Sequence, residues 1–323
     1  AACIDVVPAF FARRGRTAPP IKKVACPHFL AGRSGLLHVP TGAGKTYAAY
    51  GGPLAEMIDE WRAAKSAPTL APAMETAADA TAVHATVPPS ATSPARRKKP
   101  PALDGLRVLY ITPLRAVARD IEHALKAPVR EMRLPFTVEG RTGDTSQSVR
   151  ARQREMLPNV LVTTPESLSL MLSRENAREQ LGRVRAVIVD EWHELLATKR
   201  GTQVELALAR LRRFAPGLRT WALSATLENL EEAARAACGV PTPATSASAH
   251  AADAAAPVIV SGRVDRPVVI DTVLPSGDAR LPWAGHLGLM MLPAVVDALA
   301  PDVERGASTL LFVNTRSQAE RWH

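Results

Sequence analysis

Cysteine is scarce in this chain: Cys3, Cys26 and Cys238 are the only three among 323 residues, far apart and without paired spacing. That argues against a disulfide framework or a cysteine-based zinc site and fits a reducing compartment. Aromatics are equally thin, at 4%. No run reaches the roughly 18 apolar residues that a membrane span needs. The start, with an early Asp5 and no basic segment before it, does not read as a signal peptide. A cytoplasmic protein without membrane attachment is the expectation. Ala1 in place of Met, and an end at His323 soon after a strand-like run, make both ends look cut. Acidic residues are in deficit too, 31 against 40 Lys and Arg, for a formal net charge of +9. Such an excess suits an anionic partner, because clustered Lys and Arg neutralise phosphates and release counterions. Basic residues gather at Arg13, Arg14, Arg16, Lys22 and Lys23, at Arg96 to Lys99, and at Arg150, Arg152 and Arg154. Each cluster taken singly is as readily an ordinary solvated face.

What is present is apolar material for a sizeable core, 46% of residues, over a length that suits two domains. Two stretches interrupt it: residues 66–101, rich in Ala, Pro, Ser and Thr, and residues 241–257, mostly Ala, Thr and Ser. Both read as exposed insertions, and the first as disordered, since neither can bury enough apolar surface to offset its ordering entropy. Elsewhere short Val- and Ile-rich runs alternate with helical periodicity, the pattern of a parallel sheet flanked by helices. The expected strands are Gly35 to Val39, Arg107 to Thr112, Val160 to Thr163, Ala186 to Asp190 and Thr220 to Ser224. In such α/β sheets ligands lie beyond the carboxyl ends of the strands. Residues 1–257 are expected to form this first domain. Residues 258–323 would supply a linker strand and the opening of a second α/β unit, with a helical run at Gly285 to Ala300 and a strand at Ser308 to Val313.

Three segments carry chemistry. Pro40-Thr41-Gly42-Ala43-Gly44-Lys45-Thr46 follows a strand and precedes a helical pattern, as a phosphate-binding loop does. Gly42 and Gly44 allow backbone conformations closed to residues with a Cβ, so that successive N–H groups can face phosphate oxygens. Lys45 would reach the β and γ phosphates and the Thr46 hydroxyl would ligate Mg²⁺. The strict consensus has glycine where this chain has Val39. The second segment is Val187-Ile188-Val189-Asp190-Glu191-Trp192-His193, an apolar strand ending in two carboxylates and an imidazole. Asp190 would hold the metal, while Glu191 would orient and deprotonate the water attacking the γ phosphate. The third, Ser224-Ala225-Thr226, could hydrogen-bond the Glu191 and His193 neighbourhood and sense the γ phosphate. By itself it is uninformative, and an isolated acidic pair is more often a cap or loop; the combination is what argues for ATP and Mg²⁺. Thr112-Pro113-Leu114-Arg115, Thr142-Gly143-Asp144-Thr145 and Thr163-Thr164-Pro165-Glu166-Ser167 place donors at strand ends where a phosphodiester chain could lie. Individually each is more simply a turn or helix cap.

In order, these segments resemble the first motor domain of superfamily 2 helicases, a RecA-like sheet of the phosphate-loop NTPase type. Motif I falls at Pro40 to Thr46, Ia at Thr112 to Arg115, Ib at Thr163 to Ser167, II at Asp190 to His193 and III at Ser224 to Thr226. The wider wording is similar to the large-helicase-related family, and within it to the ligase-associated bacterial branch. It includes Thr163 to Leu168, Asp190 to Leu196 followed by Lys199-Arg200-Gly201, and Leu311-Phe312-Val313-Asn314-Thr315-Arg316. The resemblance implies ATP-dependent 3′ to 5′ movement on single-stranded DNA and a role in repair beside a ligase, a nuclease and a phosphoesterase. It also implies a bacterial, nucleoid-associated setting and strand contacts at Asn314, Thr315 and Arg316. Trp192 and His193 stand where DEAD-box RNA proteins carry Ala and Asp, which favours DNA, with RNA or a hybrid duplex as the alternative. The family's adenine-reading Gln is replaced within Pro20-Ile21-Lys22-Lys23, and Lys22 cannot accept the hydrogen bond that an amide could. Motifs V and VI, which carry an arginine finger worth roughly 10³ to 10⁵ in rate, are not in this chain. A nucleotide-regulated binding module that clamps without unwinding is therefore the competing function.

Overall fold

The computed structural model describes residues 6–15, 20–42, 44–66, 103–240, 256–262, 269–274 and 291–323. Seven strands form one sheet: β1 (Gly35–His38), β2 (Val108–Ile111), β3 (Val138–Arg141), β4 (Val160–Thr163), β5 (Ala186–Val189), β6 (Arg219–Ser224) and β7 (Val258–Ser261). Their order is β3-β4-β2-β5-β6-β1-β7, and every pairing is parallel. Strands β2, β4, β5 and β6 are buried at every residue. Burial on both faces explains why they read as continuous apolar runs rather than alternating ones.

The covering helices include α3 (Lys45–Ser66), α4 (Arg115–Glu131), α6 (Pro165–Leu172), α9 (Lys199–Phe214) and α10 (Leu230–Cys238). One apolar layer joins Leu37, Val108, Tyr110 and Ile188 of the sheet to Tyr50 and Leu54 of α3 and Ile121 and Leu125 of α4. The other joins Leu36, Leu109 and Val187 to Leu168 of α6, Leu208 of α9 and Ala234 of α10. At about 1.5 to 3 kcal/mol for each large side chain removed from water, these two layers hold the sheet rigid beneath its loops.

The five strands expected from the sequence are all present, with ends shifted by a residue or so. Two more were not read as parts of this sheet. β3 carries Glu139, Gly140 and Arg141 after its single apolar Val138 and runs along an edge, where a half-buried strand needs no apolar run. β7 lies where the sequence places a linker strand after residue 257; it pairs with β1, Gly35 opposite Val258, and the first compact unit runs to Val264.

The second unit, Asp265–His323, contains α11 (Leu292–Glu304) and α12 (Arg316–Trp322). The expected strand at Ser308 to Val313 does not form a ladder, because among the described residues of this unit no strand runs alongside it. A strand takes its backbone hydrogen bonds from neighbours, so apolar sequence alone cannot make one. Apart from Ser66, Ala256 and Pro257, both Ala-rich stretches lie outside the described residues, as do Ala43, Arg96 to Lys99 and Trp283. Among the described residues no helix is long and apolar enough to cross a membrane.

Candidate nucleotide and nucleic-acid site

The loop after β1 is anchored where the Val39 N–H donates to the Ser224 carbonyl at the end of β6, 3.0 Å away. Gly42 and Gly44 then take φ values of 83° and 82°, a region nearly free of cost for glycine alone. The Gly44 carbonyl accepts the Ala48 N–H, so α3 begins with Lys45 already in its first turn. The Lys45 side chain is 8% exposed; its Nζ lies 3.7 Å from Glu191 Oε1 and has no hydrogen-bond partner. An ammonium removed from water without hydrogen bonds is costly unless an anion completes its shell. Phosphate oxygens are the chemistry that fits.

At the end of β5, Asp190 Oδ2 accepts the Tyr110 hydroxyl at 2.8 Å and Oδ1 accepts the Glu191 N–H at 3.0 Å. Burial, foremost, raises the Asp190 carboxyl above its ordinary pKa, and the neighbouring Glu191 charge adds to this; the Tyr110 hydrogen bond opposes it. Burial likewise lifts the Tyr110 phenol well above its usual value, so it remains a donor to Asp190. Glu191 occupies the left-handed region at φ 45° and ψ 50°. For a residue with a Cβ that costs of order 1 to 3 kcal/mol. The turn leaves its carboxylate 3.7 Å from Lys45 Nζ and 3.5 Å from His193 Nδ1. His193 Nδ1 is also 3.0 Å from Ser224 Oγ. Lys45, Thr46, Asp190, Glu191, His193 and Ser224 thus share the carboxyl edge of β1, β6 and β5. Thr226 does not join them through its hydroxyl: its side chain is exposed, and only its carbonyl accepts from Ser224 Oγ, at 3.4 Å.

The other expected residues line the continuation of the same edge. Thr112 Oγ1 accepts the Leu114 N–H at 3.4 Å, and the Pro113 carbonyl accepts Arg200 Nη2 at 2.7 Å. Arg115 is exposed at the start of α4. Thr163 Oγ1 donates to the Arg141 carbonyl at 2.8 Å, tying β4 to β3. Thr164 caps α6, followed by Pro165, and Glu166 Oε1 accepts Arg200 Nε at 2.6 Å. Burial works against ionisation of Glu166, but hydrogen bonds from Arg200, its own backbone and Thr164 outweigh it and hold the carboxyl below its usual range. After β3, the Thr142 N–H donates to Thr145 Oγ1 at 2.9 Å, and the Asp144 N–H to Thr142 Oγ1 at 3.3 Å. Gly143 packs so closely on Arg115 that a Cβ there would lie 2.9 Å from Nη1. Arg115, Arg119, Glu122, Thr142, Asp144 and Thr145 border a cleft of about 420 Å³. The threonine hydroxyls are therefore spent on turns and caps, the plainer reading of each tripeptide. Asn314, Thr315 and Arg316 belong to the second unit. There the Asn314 and Thr315 N–H groups donate to Gln318 Oε1, Thr315 closes a capping box on α12, and Arg316 bonds Glu320.

Sequence reasoning missed Tyr110 and Arg200. Tyr110 sits mid-strand in an apolar run, where an aromatic reads as core. Arg200 stood within a recognised phrase but had no assigned partner. The glycine after it was the available signal: a Cβ on Gly201 would fall 2.0 Å from the Leu195 carbonyl oxygen, so this turn is built for close approach.

A glycine loop that delivers a buried lysine, facing an acidic pair at the end of a nearby parallel strand, defines a phosphate-loop nucleotide-binding protein. More narrowly, the chain belongs to the DEAD/DEAH box helicase family, whose model matches residues 19–233. It is similar to the ATP-dependent helicase Lhr-Core protein 2 of Thermococcus barophilus, 36% identical over 228 residues, covering 68% of this chain and 25% of that one. It is also 28% identical over 325 residues to the ATP-dependent helicase Lhr-Core of Methanocaldococcus jannaschii, covering 98% of this chain and 32% of that one. The chain spans about a quarter to a third of the length of these relatives. A solved structure of the Mycobacterium smegmatis helicase Lhr bound to ssDNA and AMP-PNP superposes with a TM-score of 0.64 at 28% identity, over 100% of this chain and 35% of that one. The sheet is thus the RecA-like sheet of these helicases, as the order of motifs implied.

Proposed function

We propose that this chain is the ATP-binding part of an Lhr-type motor that hydrolyses ATP to move on single-stranded DNA. The observation that carries the reading is the buried, hydrogen-bond-free Lys45 Nζ held 3.7 Å from Glu191. Bound magnesium–nucleotide would supply the phosphoanhydride to be split. Lys45 and the loop from Thr41 to Thr46 would grip its phosphates, and Thr46 and Asp190 would hold the magnesium. Among the described residues no cluster of three or more His, Cys, Asp or Glu is arranged to cage a metal. That suits an ion usually held by one or two carboxylates plus substrate phosphates and water. Glu191 would align the attacking water and take its proton, with His193 and Ser224 relaying the state of that carboxylate to β6. Thr112, Arg115, Thr142, Gly143, Thr163 and Thr164 would follow the strand backbone, and Glu166 would fix the path by holding Arg200. The solved relative with ssDNA and AMP-PNP supports both ligands.

Movement in the 3′ to 5′ direction, a repair role beside a ligase, a nuclease and a phosphoesterase, and a bacterial, nucleoid-associated setting extend this reading. They rest on the resemblance alone. Residues from 265 onward would open the second motor domain, with Asn314, Thr315 and Arg316 on the strand. The test is Lys45→Ala, assayed for ATP hydrolysis with single-stranded DNA and, separately, single-stranded RNA. Loss of stimulated hydrolysis by about 100-fold or more is expected. Unchanged hydrolysis would sink the motor reading, and stimulation by RNA alone would reassign the substrate.

A further inference from the structure

A group of arginines lies at the β3 edge of the sheet, and among the described residues it has no counter-ion. Arg141 ends β3 and is only 6% exposed. Its guanidinium has a neutral partner, Gln153 Oε1, at 3.3 Å. Arg150 and Arg154 stand one turn apart on α5 (Gln147–Glu155). Arg174, just beyond α6, has a buried Nη1 without a hydrogen-bond partner. Glu139, the carboxylate that α5 does meet, is engaged by Arg152 at 2.7 Å and by the Gln153 amide at 2.9 Å. Among the described residues, none of Arg141, Arg150, Arg154 and Arg174 forms an ion pair.

Folding has therefore placed like charges at one edge of the sheet, with Arg141 buried, Arg150 and Arg174 half-buried and Arg154 exposed. Burial first, then the fields of Arg174, Arg150 and Arg154, pull the Arg141 pKa down to about 10. Burial and Arg154 lower that of Arg174 as well. Each partly buried guanidinium without a carboxylate carries a desolvation cost that mutual repulsion increases. An anion with several acceptor oxygens would remove both costs, and guanidinium groups match phosphate geometry.

We infer that Arg141, Arg150, Arg154 and Arg174 form a seat for a phosphate group at the β3 end of the sheet. Arg150 places it beside the nucleic-acid edge, because its Nη2 donates to the carbonyls of Thr142, 3.0 Å away, and Gly143. The phosphate is a phosphodiester of the bound strand, an assignment that rests on the nucleic-acid reading above; a free phosphate ion would use the same chemistry. The seat lengthens the strand path by one contact beyond the Thr142 turn.

Two measurements separate the sources. In a Lys45→Ala background, which removes the phosphate loop's own grip, inorganic phosphate should raise Tm, and adding Arg174→Gln should abolish most of that rise. With a labelled oligothymidylate, the slope of log K against log salt should flatten by about 0.7 for each lost phosphate contact in Arg174→Gln. It should flatten further when Arg150→Gln is added, and stay unchanged in Arg174→Lys. A flattened slope assigns the strand phosphodiester; lost phosphate stabilisation with an unaltered slope assigns the free ion. The seat is refuted if neither the slope nor the phosphate-dependent Tm responds to Arg174→Gln. Should the protein bind no strand at all, the nucleic-acid reading fails and the phosphate-dependent Tm still decides the seat.

Discussion

The carboxyl edge of the sheet has two halves built on different principles. On β1, β6 and β5, buried and half-buried polar side chains from distant parts of the chain converge on one another. Lys45 meets Glu191, Asp190 meets Tyr110, and His193 meets Ser224. On β2, β4 and β3 the polar groups are satisfied mostly within short turns and caps, with a few links between neighbouring loops, and exposed Arg115 and Asp144 stand along the rim. A focus of that kind suits a compact, highly charged ligand whose position must be fixed for chemistry. A row of self-sufficient turns suits a long ligand gripped weakly at many places and passed along.

The comparison breaks most sharply at Glu191. Replacing it with Gln keeps the size but removes the base, so ATP hydrolysis should fall by about 10² to 10⁴ while nucleotide and strand binding persist. A single-turnover assay beside fluorescent-nucleotide titration checks both. If hydrolysis survives, the focus holds nucleotide without splitting it, as in the competing reading of a clamp. Tyr110→Phe probes the seam between the halves, since Tyr110 lies on β2 yet bonds the Asp190 carboxylate just after β5, the group proposed to hold magnesium. Losing one buried hydrogen bond to a charged group corresponds to about 1.5 to 3 kcal/mol. The magnesium concentration for half-maximal hydrolysis should therefore shift about tenfold or more, alongside a drop in Tm of several degrees, limited because the ring still fills the core. A drop in Tm with no change in magnesium dependence would make Tyr110 a core residue only.

The two halves were also unequally legible in the sequence. The focus announced itself because a glycine loop with Lys45 and an acidic pair after Val189 are rare in combination, and because buried parallel strands leave unbroken apolar runs. Tyr110 was hidden by the same fact: among the apolar neighbours Val108, Leu109 and Ile111 of a buried strand, an aromatic with a working hydroxyl looks like packing. The rim was legible as turns but not as a joined surface. Arg200 links Pro113 to Glu166, and Thr163 links β4 to β3, contacts set by strand order rather than by spacing. β7 escaped assignment to the first domain for a similar reason. Its place beside β1 follows from where the chain returns after 241–257, which local composition does not encode.

The smallest expected effect belongs to Arg115. It is exposed at the start of α4, and Gly143 lies against its guanidinium, so Arg115→Ala deletes one cation from the rim and little from the core. One strand phosphate contact should be lost. Affinity for single-stranded DNA should drop by about tenfold or less at moderate salt, and the salt slope should flatten by about 0.7. The loss should be equal for oligothymidylate and mixed sequence, because phosphate contacts carry no base information. Basal ATP hydrolysis without DNA should be untouched. A sequence-dependent loss, or a fall in basal hydrolysis, would mean that the rim reads bases or that Arg115 reaches the focus, and the division between the halves would then not hold at β2.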